Sequence, residues 1–471
     1  MNQSRRSFIR QSALASTAFG AFTISGTKSS GKVIGANERV NVAVCGIKGR
    51  GAAHIGGHGR QKNVAISHLV DPDSSLYDGR KKFVASKYKN TPECVQDVRK
   101  ALDNKDVDVI SIATPNHWHS LMSIWACQAG KDVYVEKPLS HNIFEGGKLV
   151  EAAKKYGRIV QHGTQNRSIQ RWADQAQEIA AGKHGKLEVA LGTCHKRRGS
   201  IGFKKTEKPP AELDFDIWTG PAEKEDFHKN LVHYNWHWFW KYGNGDIGNQ
   251  GVHQMDIARW MIPGARWPKS VVSVGGRFGY EDQGETANTQ LTIFDYGESL
   301  LVFDVRGLSG KSNMGVSNKT YFDKNASQKT SKSYDMKGIR NPLSDRGKGD
   351  IFENFIHAVR SRKTEDLNAH VYEGHVSSGL CHLANVSYQL GEKQGFNKKT
   401  NAFGNNKKAS EYFERMKEHL KENGLKLEDT DYVVGRTLEF DSKTESIKGD
   451  DEANNLLTRN YRAPFVVPEK V

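Results

Sequence analysis

Residues 39–54 read RVNVAVCGIKGRGAAH. RVNVAVCGI (39–47) is a short apolar run that reaches a glycine, the pattern of a buried strand. The CGIKGRGAAH that closes the stretch answers to the dinucleotide fingerprint G-x-G-x-x-G, with Gly46 in the first slot and Gly51 in the third. The second slot holds Lys48, whose Cβ should crowd the pyrophosphate approach; Gly49 follows and loosens the turn, and the Lys48 ammonium has the reach of a phosphate. Asp71, about 20 residues beyond Gly51, stands where a carboxylate accepts from ribose hydroxyls and repels a 2′-phosphate, so NAD is favoured over NADP. The alternative for Asp71 is a plain turn residue before Pro72.

Working outward, VAISHLVD (64–71), DVDVISIAT (106–114), DVYVEKP (132–138) and RIVQHGT (158–164) read as further strands, with helical stretches between them. That alternation predicts a parallel sheet wrapped by helices over residues 36–165. The rhythm changes from residue 166 to 471. A helix around 168–182 and a strand over 186–197 come first, then a helix over 248–262. Runs at 270–279, 289–297 and 299–307 predict neighbouring antiparallel strands. Residues 308–349 read as a long polar loop with one strand, followed by helices near 350–362, 370–391 and 409–423 and an irregular tail.

The N-terminus, residues 1–35, has its own logic. SRRSFIR (4–10) precedes the short apolar SALASTAFGAFTIS (12–25), the order of an export signal, and the paired arginines look like a twin-arginine leader. The expected location is periplasmic or otherwise exported, with cleavage between Gly26 and Gly35. No run is apolar enough to span a bilayer. Hydrophobic residues at 37% and charged residues at 26% fit an ordinary globular enzyme. The net charge of +15 comes from scattered lysines without a nucleic-acid signature, so no nucleic-acid partner is expected. Five cysteines, odd in number and without C-x-x-C, suit free thiols in a chain that folds in a reducing cytoplasm.

ATPNHWHSLMSIWACQAGKDVYVEKPLS (113–140), with its E-K-P tripeptide Glu136, Lys137 and Pro138, resembles the Gfo/Idh/MocA oxidoreductases. GDIGNQGVHQMDIARW (245–260) resembles their catalytic helix, and DFDIWTGP (214–221), HYNWHWFWKYGNG (233–245) and HVSSGLCHLANVSYQLG their secreted bacterial branch. The resemblance implies an N-terminal Rossmann domain, a C-terminal α+β domain with an open, mostly antiparallel sheet, and a homo-oligomer paired through that sheet's free face. It also implies a carbohydrate or polyol substrate. Lys137 would bridge substrate hydroxyl and nicotinamide, and Glu136 would fix Lys137. Cofactor contacts carried over by match are Thr114, Pro115, Asn116 and His119, which join the fingerprint turn Gly46, Ile47, Lys48, Gly49, Arg50 and Gly51; Gln165 is expected to approach the nicotinamide or substrate. Asn116 is equally readable as a helix N-cap.

His253 is the expected base, since imidazole both takes and returns a proton near neutrality. Asp256, three residues on, shares its helical face and is expected to orient the ring. The family's acid four residues before the histidine is Asn249 here, which can bond a sugar hydroxyl but not carry a proton; Asp246 lies near enough to compensate. His195 and Lys196, at the end of a strand, are expected near substrate, although a charged solvated edge is the other reading. The His117/His119 and His233/His237 pairs lack a matching acid or cysteine set, so no metal is expected.

An exported enzyme meets essentially no free nicotinamide cofactor, so NAD is expected to be loaded before export and retained. Re-oxidation in place then needs either a second carbonyl substrate or transient oxidation within one substrate. The latter is the chemistry of a redox-assisted glycoside hydrolase, lyase or epimerase. A carbohydrate-binding module that only keeps the fold is the third class, against which Lys137 and His253 together argue.

Overall fold

The computed structural model describes residues 38–323, 329–332 and 349–471; residues 1–37, where the export-signal reading falls, and most of the 324–348 segment lie outside these. Six parallel strands form the first sheet: β1 (Val40–Cys45), β2 (Val64–Val70), β3 (Glu93–Val95), β4 (Val109–Ile112), β5 (Asp132–Val135) and β6 (Val160–His162). Their order, β3-β2-β1-β4-β5-β6, is that of a Rossmann sheet. Cys45 pairs with Val70 on one side and Ile112 on the other, so β1, β2 and β4 end at one carboxyl edge. The helices α1 (Arg50–Gly59), α2 (Tyr77–Tyr88), α3 (Val98–Asp103), α4 (Asn116–Gln128) and α5 (Ile143–Lys155) connect them. The start of α5 is set by Asn142, whose side chain accepts from the Glu145 N–H, while the Glu145 carboxylate accepts from the His141 N–H. β3 was not anticipated; three residues carry too little pattern to register.

After α6 (Gln170–Ala180) comes the second sheet. Its strands are β7 (Leu187–His195), β8 (Ser270–Gly276), β9 (Thr289–Asp295), β10 (Leu300–Arg306), β11 (Val316–Phe322) and β12 (Lys329–Lys332), with later additions. Among the described residues its pairs are antiparallel except β7 with β10. Between β7 and β8 lie α7 (Phe215–Thr219), α8 (Gly245–Gly248) and α9 (Gly251–Trp260). α9 and a long helix further on pack one face of this sheet around Met255, Phe303, Leu380 and Leu383.

Two expectations change. The 308–349 segment contributes two strands, β11 and β12, rather than one. The tail is not irregular: following α10 (Ile351–Ser361), α11 (Val371–Gln389), β13 (Glu392–Gly395) and α12 (Lys407–Glu422), it supplies β14 (Asp431–Val434), β15 (Leu438–Asp441), β16 (Ser446–Ile447) and α13 (Asp451–Asn455). β14 and β15 both pair with β8.

The face of the second sheet expected to be free is covered within the chain. Tyr412, Phe413, Met416 and Leu420 of α12 bury Val189, Leu191, Leu291 and Val302 there. Pairing of two copies through that surface would first require α12 to leave it, exposing aromatic and aliphatic side chains that each stabilise burial by about 1.5–3 kcal/mol. The first domain is also completed from the far end of the chain. Phe352 and Phe355 of α10 pack under β1, and Phe465 and Val467 pack against α4. No helix among the described residues is long and apolar enough to cross a membrane.

Candidate active site

A cleft of about 390 Å³ opens at the carboxyl edge of the first sheet. Its floor is the turn from β1 to α1. Gly46 has φ +77°, and a Cβ there would lie 2.6 Å from the Ala113 carbonyl oxygen; a Cβ on Gly51 would lie 1.7 Å from that of Gly46. Glycine at both positions is therefore a steric requirement. Gly49, in contrast, has no atom within 4 Å of where its Cβ would sit, so the open approach to the turn is at Gly49 rather than at the Lys48 slot.

The Ile47 N–H donates to Asp71 Oδ2 at 2.8 Å and the Asp73 N–H to Oδ1 at 3.0 Å. Burial pushes the Asp71 carboxyl up to about 6, against these two donors. The Asp71 side chain ends on the cleft wall, as do Lys48 and Arg50.

Several features fit a dinucleotide here. Gly49 leaves room for it, and no acid occupies the first turn of α1. Thr114 Oγ1 is buried on the cleft wall without a hydrogen-bond partner. Pro115 is the N-cap residue of α4, which removes the capping alternative for Asn116; the Asn116 amide donates to Asn244 Oδ1 at 3.1 Å. His119 ties the loop after β4 to the next turn, its ring nitrogens lying 2.9 Å from the Thr114 carbonyl and 2.6 Å from that of Pro138.

Lys137 follows β5 on the cleft wall. Its ammonium donates to the Asn249 carbonyl at 2.8 Å and to Asn249 Oδ1 at 3.2 Å. Burial pulls the amine down to about 8, with Glu136 opposing and Arg50 assisting. Glu136 does not pair with this ammonium as expected. Its carboxylate accepts from Arg50 Nε at 2.6 Å, from His54 Nε2 at 3.1 Å and from the Lys137 backbone N–H at 3.2 Å; Gln165 Nε2 approaches at 3.4 Å. Gln165 thus supports Glu136 from behind the cleft wall.

Asp256 does not orient His253. It is fully buried and accepts twice from Arg167 Nε, at 2.9 and 3.1 Å, once from Arg167 Nη2 at 2.8 Å and once from the Ser377 hydroxyl at 2.6 Å. The i to i+3 spacing placed it near the imidazole, but a guanidinium at ion-pair distance outcompetes a neutral ring. His253 Nδ1 is buried with no partner, and burial together with the Lys137 cation pulls the imidazole down to about 3. His253 stands beside Lys137 without forming the cleft wall. Asp246 is not free to replace the missing acid, because Arg198 chelates it at 2.5 to 3.1 Å.

His195 lies elsewhere. Successive residues of a strand face opposite sides. Val189, Leu191 and His195 point to the α12 side, where His195 Nδ1 accepts from the Met314 N–H at 2.8 Å and Nε2 lies 3.1 Å from Asp304. Lys196 faces the other way and reaches Gln250 Oε1 at 3.5 Å.

Sequence reading missed a second-domain segment that straps the cleft. Glu212 and Asp214 join Ser74 and Pro72 by backbone bonds of 2.9 Å. Trp118 Nε1 donates to the Ile217 carbonyl at 3.0 Å, and His233 Nε2 lies 2.8 Å from Asp73 Oδ2. The irregular stretch 196–235 gave no periodic signal from which this could be read.

A Rossmann sheet, a glycine turn with Asp71 on the next strand and a lysine at the cleft wall define an NAD-binding oxidoreductase. Residues 40–164 match the description "Oxidoreductase family, NAD-binding Rossmann fold" and residues 199–422 "Oxidoreductase family, C-terminal alpha/beta domain", both of the Gfo/Idh/MocA group. The chain belongs to the Gfo/Idh/MocA oxidoreductase family, and its first domain is that family's NAD-binding domain. It is 35% identical over 167 residues to scyllo-inositol 2-dehydrogenase (NAD(+)) of Bacillus subtilis, 36% of this chain and 39% of that protein. Over 132 residues, 26% of this chain and 28% of that protein, it is 27% identical to a glycosyl hydrolase family 109 protein of Shewanella pealeana. These matches span less than two-fifths of either relative. The fold is similar to the WlbA dehydrogenase of Chromobacterium violaceum, crystallised with NADH and UDP-GlcNAcA. The TM-score is 0.57 at 17% identity, covering 75% of this chain and 95% of that one.

Proposed function

We propose that this chain is an exported oxidoreductase that acts on a sugar or polyol while retaining its NAD. The observation that carries the reading is Lys137: an amine held at about 8, on the wall of the dinucleotide cleft, with its ammonium fixed by Asn249. When bound, NAD⁺ supplies the acceptor for a hydride leaving a hydroxyl-bearing carbon. Lys137 in its neutral form takes the hydroxyl proton, and in its charged form returns one to a carbonyl oxygen. Asn249 orients the amine. His253, neutral beside Lys137, adds no second cation next to the amine. The likeness to an inositol dehydrogenase supports a polyol substrate. The resemblance of SRRSFIR (4–10) to a twin-arginine leader supports export with the cofactor already in place.

The test is direct. Protein from the cell envelope is denatured and the released nucleotide weighed by mass spectrometry, with NAD the expected result. Addition of scyllo-inositol or glucose should then produce the near-ultraviolet band of bound reduced nicotinamide. Envelope protein that is empty and takes up neither NAD nor NADP rules the reading out. The likeness to a glycosyl hydrolase family 109 protein favours a second reading, redox-assisted glycoside cleavage. Release of nitrophenol from a nitrophenyl glycoside, with no accumulating reduced band, would select it.

The strap supports retention, since His233 and Asp73 tie it to the loop after β2 beside Asp71. His233→Ala removes that bond, worth about 1 kcal/mol or roughly fivefold in nucleotide retention. Dialysis of wild type and variant, followed by absorbance of the released nucleotide, measures it. Equal rates of loss would show that the strap plays no part.

A further inference from the structure

Behind the cleft wall, α1 carries His54 and His58 one turn apart, both fully buried and packed edge-on against Tyr134 and Phe352. Buried imidazoles are costly unless their polar atoms are met. His54 Nε2 lies 3.1 Å from Glu136 Oε1, His54 Nδ1 lies 2.9 Å from Ser111 Oγ, and His58 Nε2 lies 2.8 Å from the same oxygen. His58 Nδ1 alone has no partner.

With both rings neutral, these contacts admit one arrangement of protons. Burial would raise the Glu136 carboxyl, but Arg50 and His54 hold it well below the usual range, so it is ionised and only accepts. His54 Nε2 must therefore donate to it. Burial lowers His54, so its Nδ1 is a lone pair that accepts the Ser111 hydroxyl proton. Ser111 Oγ, its proton committed, accepts from His58 Nε2–H. Burial, His54 and Arg60 lower His58 in turn, and its Nδ1 is the lone pair left over.

We propose that His58, Ser111 and His54 form a one-way hydrogen-bond chain ending on Glu136, and that His54 acts through Glu136 as a positioning residue for Lys137. The role rests on the reading that Lys137 moves the substrate proton. Arg50 pulls Glu136 from the exposed cleft side, where its guanidinium is partly solvated. His54 pulls from the dry side. Between them Oε2 stays on the Lys137 N–H. Without His54, Glu136 follows Arg50 toward the cleft and the Lys137 backbone N–H loses its acceptor. The charged and titratable groups around Lys137 are Glu136, Arg50, Lys196, Asp246, His253, His119, His237, Cys194 and Cys381; those around His54 and His58 are Glu136, Arg50, Arg60 and Tyr134.

The test uses the full chain with its nucleotide, labelled with ¹⁵N-histidine and assigned with His58→Asn. Both His54 and His58 should appear as neutral Nε2–H tautomers. His54→Phe should lower kcat on scyllo-inositol about tenfold and move the Lys137 limb of the pH profile, with KM and bound nucleotide nearly unchanged. His54→Gln, whose amide still donates to Glu136, should restore most of the rate. Should His54→Phe not fold, Ser111→Ala cuts the same chain and should lower kcat in the same direction. A proton on His54 Nδ1 in the native protein overturns the proposal, as do equal losses in the Phe and Gln variants. Protein that shows both tautomers but oxidises no sugar or polyol overturns the functional reading and leaves the chain of bonds standing, so the two failures are told apart.

Discussion

Lys137→Ala should cut turnover by roughly 10²–10⁴-fold, the usual contribution of a positioned proton-transfer group, while the purified protein keeps its nucleotide. The two halves of that expectation come from different parts of the site. The proposed nucleotide contacts are the turn at Gly46 to Gly51, Asp71 and the strap, and none of the bonds found there goes to the Lys137 side chain. Proton transfer has fewer alternatives. His253 sits at about 3 and is a poor base near neutrality, and Asn249 carries no ionisable proton. In the wild type, oxidation needs the neutral amine. Its rate should rise as pH increases through about 8 and level off above it, and the reverse reaction should fall through the same range. Both limbs should vanish in the alanine variant. Single-turnover rates against pH, read on the reduced nicotinamide band, would check this. A variant with unchanged turnover would remove Lys137 from the chemistry and return His253 to first place.

The first domain was legible because parallel strands buried on both faces are written as short continuous apolar runs. VNVAVC, VAISHLV and VISI need no partner to be recognised. The tail strands DYVV and LEFD were not legible. They are four residues long, half polar, and become strands because β8 offers an unpaired edge far away in sequence. Within the site, the residue types were readable and their partners were not. Period-two alternation over Leu187–His195 would have put His195 on the face of Val189 and Leu191, turned toward α12. Nothing local, however, says that Asp256 meets Arg167 from 89 residues away, or that His54 meets Ser111 from 57 away. Those pairings are consequences of the packed fold, and they decide which charges remain for chemistry.

Asp256 makes that point testable. As the acceptor for buried Arg167 and the Ser377 hydroxyl, it should matter to stability far more than to proton transfer. Asp256→Asn keeps the shape but leaves a buried guanidinium without its anion, a change that typically costs 3–5 kcal/mol. Arg167 also lies 3.3 Å from Glu373, which keeps part of its compensation and puts the expected loss near the lower end, about 3 kcal/mol. The pH dependence has a definite sign. Burial would raise the Asp256 carboxyl, but Arg167 and Arg259 outweigh it and hold the group at about 2, below its ordinary 3.8. A depressed carboxylate stabilises the fold in full above the ordinary value and loses that contribution as pH falls through the folded one. The gap between wild type and Asp256→Asn in urea unfolding should therefore be constant near neutrality and narrow as pH drops from 3.8 toward 2. Turnover of the folded variant should stay within about twofold of wild type, because His253 never depended on this carboxylate. A variant of native stability whose turnover has collapsed would show the opposite arrangement, with Asp256 turned to His253 during the reaction and Arg167 left to find another anion.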